Sequence, residues 1–200
     1  MFLQHIAGFI QHPITEWQLL RRERSVSFEG FLLHVAVLAL IPSVCLFLGT
    51  TQVGWRVAGS EPIRLSLESA AGAAIAFYLA MLVAVMLVTY AIHWMEKTYG
   101  GYATMNDCLN LTTYTALPLF LSGFAGLYPL LWFNVIIGLL ALSYSLYLLY
   151  KGTAIIMQIP EERAFMFIGS ILTVALCVLV GLMIFSVILW DSGLPLNFIR

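Results

Sequence analysis

Residues 106–132 read Asn-Asp-Cys-Leu-Asn-Leu-Thr-Thr-Tyr-Thr-Ala-Leu-Pro-Leu-Phe-Leu-Ser-Gly-Phe-Ala-Gly-Leu-Tyr-Pro-Leu-Leu-Trp. The stretch enters an apolar region through a polar helical turn and leaves through Gly126-Leu127-Tyr128-Pro129 directly into another apolar run. It therefore reads as half of a membrane hairpin that carries most of the chain's intramembrane polarity. The rest of the chain has the composition this requires: 62% of its 200 residues are hydrophobic and 10% are charged. A soluble domain needs a surface in which roughly a quarter of the residues are charged, whereas a helical span needs about 20 apolar residues.

The expected fold class is all-α: a polytopic membrane protein with a five-transmembrane-helix bundle and a short N-terminal amphipathic interfacial segment. Residues 1–27 form that segment, residues 28–190 the membrane domain and residues 191–200 a tail. The spans fall at about 28–48, 70–94, 109–128, 130–150 and 164–190. Within the first segment, Phe2, Ile6, Phe9 and Ile10 share one helical face opposite Gln4, His5 and Gln11, a pattern suited to the headgroup boundary. Pro13 restarts the chain at a first helical position, and Ile14, Trp17 and Leu20 continue an apolar stripe. The first apolar stretch is broken by polar residues and has no basic region ahead of it, so the N-terminus is expected to be retained.

With a cytoplasmic N-terminus, Arg21, Arg22, Arg24, Lys97, Lys151 and Arg163 fall inside and Arg56, Arg64 and Arg200 outside. That places six of the nine Lys/Arg residues on the cytoplasmic side, the direction the positive-inside rule demands. Five spans then put the C-terminus in the periplasm. The formal net charge of -1 and the lack of any basic tract exclude a nucleic-acid partner. Cys45, Cys108 and Cys177 lie far apart with neither C-x-x-C nor zinc spacing, and read as small buried hydrophobes.

His12-Pro13, Ile41-Pro42-Ser43-Val44-Cys45, Gly49-Thr50-Thr51-Gln52-Val53-Gly54-Trp55, the Pro118-Leu119-Phe120-Leu121-Ser122-Gly123 to Leu127-Tyr128-Pro129 hairpin, and Tyr147-Leu148-Leu149-Tyr150-Lys151-Gly152 together resemble a bacterial inner-membrane protein of the Yip1 family. The resemblance covers nearly the whole chain. It implies a five-helix bundle with a cytoplasmic N-terminus, and it brings no catalytic residues. The eukaryotic members' association with prenylated Rab-type GTPases is not carried over, since bacteria lack such GTPases and this N-terminal region is short.

Two readings compete for the polar entry of the third span. In one, Asp107, Asn110 and Tyr114, on roughly one helical face, line a cytoplasmic vestibule joined by His34 and His93, because polar groups near hydrocarbon turn toward a partner or a cavity. In the other, Asp107 sits at the positive end of the helix macrodipole and the amide and hydroxyls hold helices together. His34, His93 and Asp107, with Glu96, are the types a divalent metal takes, but their separation gives no ligand spacing, and no metal or cofactor is expected. Ser122 lacks the G-x-S-x-G context, since Phe120 and Phe124 hold the glycine positions, so no enzymatic activity is expected.

Gly72, Ala76, Ala80 and Ala84 recur every four residues along the second span, a stripe that admits another helix at close range. The expected function is a non-enzymatic inner-membrane scaffold, partnered by membrane lipid and by a second copy of itself. A small ion or solute transporter built on the polar vestibule is the alternative.

Overall fold

The computed structural model describes residues 8–9, 12–22, 28–55, 63–128, 130–159, 161–192 and 198–199. Most of the amphipathic helix expected over residues 1–10, together with Arg24, Arg56, Glu61, Pro62 and Arg200, lies outside these residues.

The described helices are α1 (Pro13–Arg22), α2 (Phe28–Leu48), α3 (Leu67–Glu96), α4 (Met105–Ser122), α5 (Leu131–Gly152) and α6 (Glu161–Ser192). A π-helical turn, Gly49–Val53, prolongs α2 and another, Thr153–Met157, prolongs α5; 3₁₀ turns Lys97–Tyr99 and Gly123–Leu127 follow α3 and α4. Pro13 opens α1, where its missing N–H costs nothing. Two short strands that the sequence did not announce, β1 (Arg64–Leu65) and β2 (Phe198–Ile199), pair antiparallel with Arg64 opposite Ile199 and Leu65 opposite Phe198. They tie the loop before α3 to the C-terminal tail.

Among the described residues four stretches are long and apolar enough to cross a membrane: Leu33–Val53, Leu67–Tyr99, Leu131–Met157 and Glu162–Asp191. The third span expected from sequence is not among them. Its helix, α4, is 18 residues long and carries Asn106, Asp107, Asn110, Thr112, Thr113, Tyr114 and Thr115. Polar groups of this kind cannot face hydrocarbon cheaply, and α4 is accordingly enclosed by α2, α3 and α5. Cys108, Leu109, Leu111, Thr112, Thr113, Tyr114, Leu117 and Phe120 are buried along it. Of these four stretches the one in α2 is the most buried within the protein and the one in α6 the least.

Most helix hydroxyls are satisfied by the carbonyl one turn back. Ser43 Oγ donates to the Ala39 carbonyl at 2.9 Å, Thr89 to Val85 at 2.7 Å, Thr112 to Cys108 at 2.9 Å and Thr173 to Gly169 at 2.9 Å. This back-bonding lets Ser and Thr sit in a membrane helix without an orphaned group.

The end of the bundle opposite α1 is closed by backbone contact. The Gly123–Leu127 turn packs on α2 so tightly that a Cβ at Gly123 would lie 2.6 Å from Pro42 Cα. The Gly126 carbonyl likewise fills the space a Gly49 side chain would need. Gly123→Val is therefore expected to cost about 1–3 kcal/mol through overpacking, read as a lower melting temperature in detergent. Gly138→Ala, with nothing within 4 Å of the added carbon, should leave it unchanged or slightly higher; equal behaviour of the two variants would contradict the close approach.

Candidate functional site

The head of α4 begins with a capping box. Thr104, at φ -79 and ψ 164, caps the helix, and its hydroxyl accepts the Asp107 N–H at 3.3 Å. Asp107 Oδ2 in turn accepts the Thr104 N–H at 2.9 Å and the Thr104 hydroxyl at 2.8 Å. The carboxylate thus meets two donors and the positive end of the macrodipole, which is the structural role rather than that of an open ligand.

The connection into α4 folds around Glu96. This last residue of α3 is 2% exposed, and its Oε2 accepts the Ala103 N–H at 2.6 Å. Gly101 N–H donates to the Glu96 carbonyl at 2.9 Å, and a Cβ on Gly101 would stand 3.0 Å from Oε2. Gly100 at φ 80 makes the reversal, a conformation glycine adopts without penalty. The connection is further pinned to α6, where Tyr99 Oη lies 2.6 Å from Ser170 Oγ and the Tyr99 ring 5.3 Å from Phe167. His93, one turn before Glu96, brings Nδ1 to 3.9 Å from Cys108 Sγ. His93, Glu96, Asp107 and Cys108 thus gather at one end of the bundle. Among the described residues no three His, Cys, Asp or Glu side chains are arranged to hold a metal ion.

Tyr114 belongs to a different assembly. Its ring stacks on Phe9 at 4.7 Å and meets Trp17 edge-on at 6.2 Å, while Phe9 and Trp17 lie 4.8 Å apart. Trp17 and Phe9 are both 0% exposed. The Tyr144 hydroxyl donates to the Phe9 carbonyl at 2.7 Å. Gly152 makes the room: a Cβ there would stand 2.7 Å from Trp17 Cζ2 and 2.6 Å from Leu111 Cδ1. Trp17 and Leu20 of the α1 stripe are buried, with α1 docked against α5 and the Thr153–Met157 turn, while Ile14 stays exposed.

The five vestibule candidates have different surroundings. Asp107 caps its own helix, His93 approaches Cys108, and Tyr114 anchors Phe9 and Trp17. His34 is half-buried on α2, and Asn110 is half-buried on α4 with Oδ1 buried and no partner. Gly72, Ala76, Ala80 and Ala84 are all half-buried on α3. Ser122 Oγ donates to the Leu119 carbonyl at 2.7 Å, a local bond with no base beside it. The sequence offers Glu96 only as a metal-ligand type; the Gly100-Gly101 pair behind it is the signal of the tight connection it anchors.

The same helices and turns are matched by a known domain. The Yip1 domain matches residues 7–182. The chain belongs to the Yip1 family. Inner membrane protein YohC of Escherichia coli strain K12 is 36% identical over 191 residues, covering 96% of this chain and 98% of that protein. The protein of the same name in Escherichia coli O6:H1 strain CFT073 matches to the same extent. No solved structure matches the chain. The region matched by the Yip1 domain contains α1 to α5 and every candidate residue discussed above. With its four apolar helices, this Yip1-family chain is a multi-pass inner-membrane protein.

Removing the acceptor with Glu96→Ala leaves the Ala103 N–H buried and unpaired and should cost about 1–3 kcal/mol. Asp107→Ala removes one half of a cap and should cost about 1 kcal/mol. Melting in detergent, with amide exchange at Ala103 as the local reporter, checks the order; a larger loss for Asp107→Ala would contradict these roles.

Proposed function

We propose that the protein is a non-enzymatic membrane-organising scaffold acting through helix and lipid contacts, crossing the membrane five times with a cytoplasmic N-terminus and a periplasmic C-terminus. The observation that carries this reading is the division of its surface. Asp107 at the head of α4 caps its helix and Glu96 anchors the connection into it, while α3, α5 and α6 present apolar side chains outward. Along α6 alone Leu176, Leu179, Met183, Ile184, Phe185, Val187 and Ile188 are each more than half exposed. Contact area is then what the molecule offers its surroundings, and in lipid it is contact area that drives helix association.

The charge distribution supports the orientation. Trp17 against Gly152 brings α1 to the end of α5, and Arg163 Nη1 lies 3.6 Å from where a Gly100 side chain would begin. Arg21, Arg22, Lys97, Lys151 and Arg163 therefore sit at one end, and of the remaining described cations only Arg64 lies at the other. Such an excess marks the cytoplasmic side. The half-buried Gly72, Ala76, Ala80 and Ala84 stripe is the surface through which two copies would meet, since small side chains let backbones approach.

Ala76→Leu combined with Ala80→Leu should abolish a crosslinked dimer and halve the native mass while the melting temperature shows an intact fold. An unchanged native mass would remove the stripe from the account. Ion and proton flux into proteoliposomes completes the test: no flux above empty liposomes is expected, and flux that Asp107→Asn and His34→Ala both reduce would replace the scaffold by a transporter.

A further inference from the structure

Among the described residues three buried helix hydroxyls break the rule that Ser43, Thr89 and Thr112 follow. Thr113 and Thr153 are 0% exposed and Ser145 is 5% exposed, yet none bonds a carbonyl one turn back, and each oxygen is buried without a partner. Trp17 Nε1 and Asn110 Oδ1 are buried and unpartnered as well. All five groups lie on α1, on α4, or on α5 and the turn that prolongs it, elements that pack on one another. By contrast Ser43, Thr89, Thr112 and Thr173 take their own helix carbonyls. The difference is positional, not compositional.

The placement is closest around Trp17. Its Cε2, bonded to Nε1, lies 2.9 Å from where a Gly152 side chain would begin, and Thr153 is the next residue. Ser145 lies two turns back from Gly152 along the same buried face of α5. On α4, Asn110 and Thr113 are three residues apart and so neighbours on the helix surface, flanking Tyr114, whose ring meets Trp17.

We propose that Trp17 Nε1, Thr153 Oγ1 and Ser145 Oγ line an internal hydrated seam between α1 and α5, continued along α4 by Asn110 and Thr113, which holds ordered water. An unpaired polar group inside a membrane protein is costly, and a buried water makes about three hydrogen bonds to such groups. The chemistry selects a neutral ligand. An indole N–H can only donate, an amide oxygen can only accept, and a hydroxyl does both, so a molecule that also does both satisfies the set. None of the five carries a charge to hold an ion. The seam adds water-mediated bonds to the direct packing of Trp17 on Gly152 and Tyr114.

Radiolytic hydroxyl footprinting of the full chain in detergent tests this directly, because radicals made from bound water modify the side chains beside it whatever their exposure. Trp17 should be modified several-fold faster than the equally buried Phe167, and Thr153→Val or Ser145→Ala should lower both that rate and the melting temperature. Thr112→Val, which removes a back-bonded hydroxyl, should leave the Trp17 rate alone. Trp17 modified no faster than Phe167 in the unaltered protein would overturn the proposal without any variant. So would a rise in melting temperature for Thr153→Val, since an apolar isostere stabilises a dry site.

Discussion

A helix too polar for lipid has to be enclosed by protein, and α4 imposes that requirement on everything around it. Seven of its residues between Asn106 and Thr115 carry a hydrogen-bonding side chain, too many for a helix bathed in hydrocarbon. The apolar helices α2, α3 and α5 supply the enclosure. Their own outward faces need no polar cover, because the bilayer accepts them. The result is an inverted gradient, polar toward the centre and apolar toward the edge, with α6 outermost and least buried.

Enclosure demands close approach, and glycines make it possible at both ends. Gly123 against Pro42 and Gly49 against Gly126 bring the far end of α4 onto α2. At the other end Gly152 admits the Trp17 ring, which turns α1 from a segment fit for the membrane surface into a part of the core. Glu96 completes that end by holding the connection into α4 from inside. A carboxylate is tolerated there because the Ala103 N–H comes to it, so burial and hydrogen bonding arrive together. The same logic explains why Asp107 is a poor candidate ligand: the Thr104 N–H and hydroxyl already converge on its oxygen.

Much of this was legible in the sequence, and the part that was not has a physical reason. Continuous apolar runs locate α2, α3, α5 and α6 because the bilayer fixes their length and character. The expected third span, α4, is set apart by its side chains, whose polarity marks it as the helix the others surround. Asp107 was readable too, as an anion at the positive end of a helix. Trp17 and Gly152 were individually visible as an apolar stripe and a helix end, but nothing local says that one fills the space left by the other. Likewise β1 and β2 are two residues each, too short for any periodicity to register. Long-range pairings of single residues leave no local signature, whereas lipid exposure leaves one along every turn.

The central claim is that α4 is shielded by its neighbours while α3, α5 and α6 meet lipid. Labelling the protein in liposomes with a lipid-soluble carbene reagent, followed by peptide mass spectrometry, tests it most directly. Labels should concentrate on the outward residues of α6 from Leu176 to Ile188, with fewer on α3 and α5 and almost none between Leu109 and Leu117. Labelling of that α4 segment at the level of α6 would contradict the enclosed-helix account.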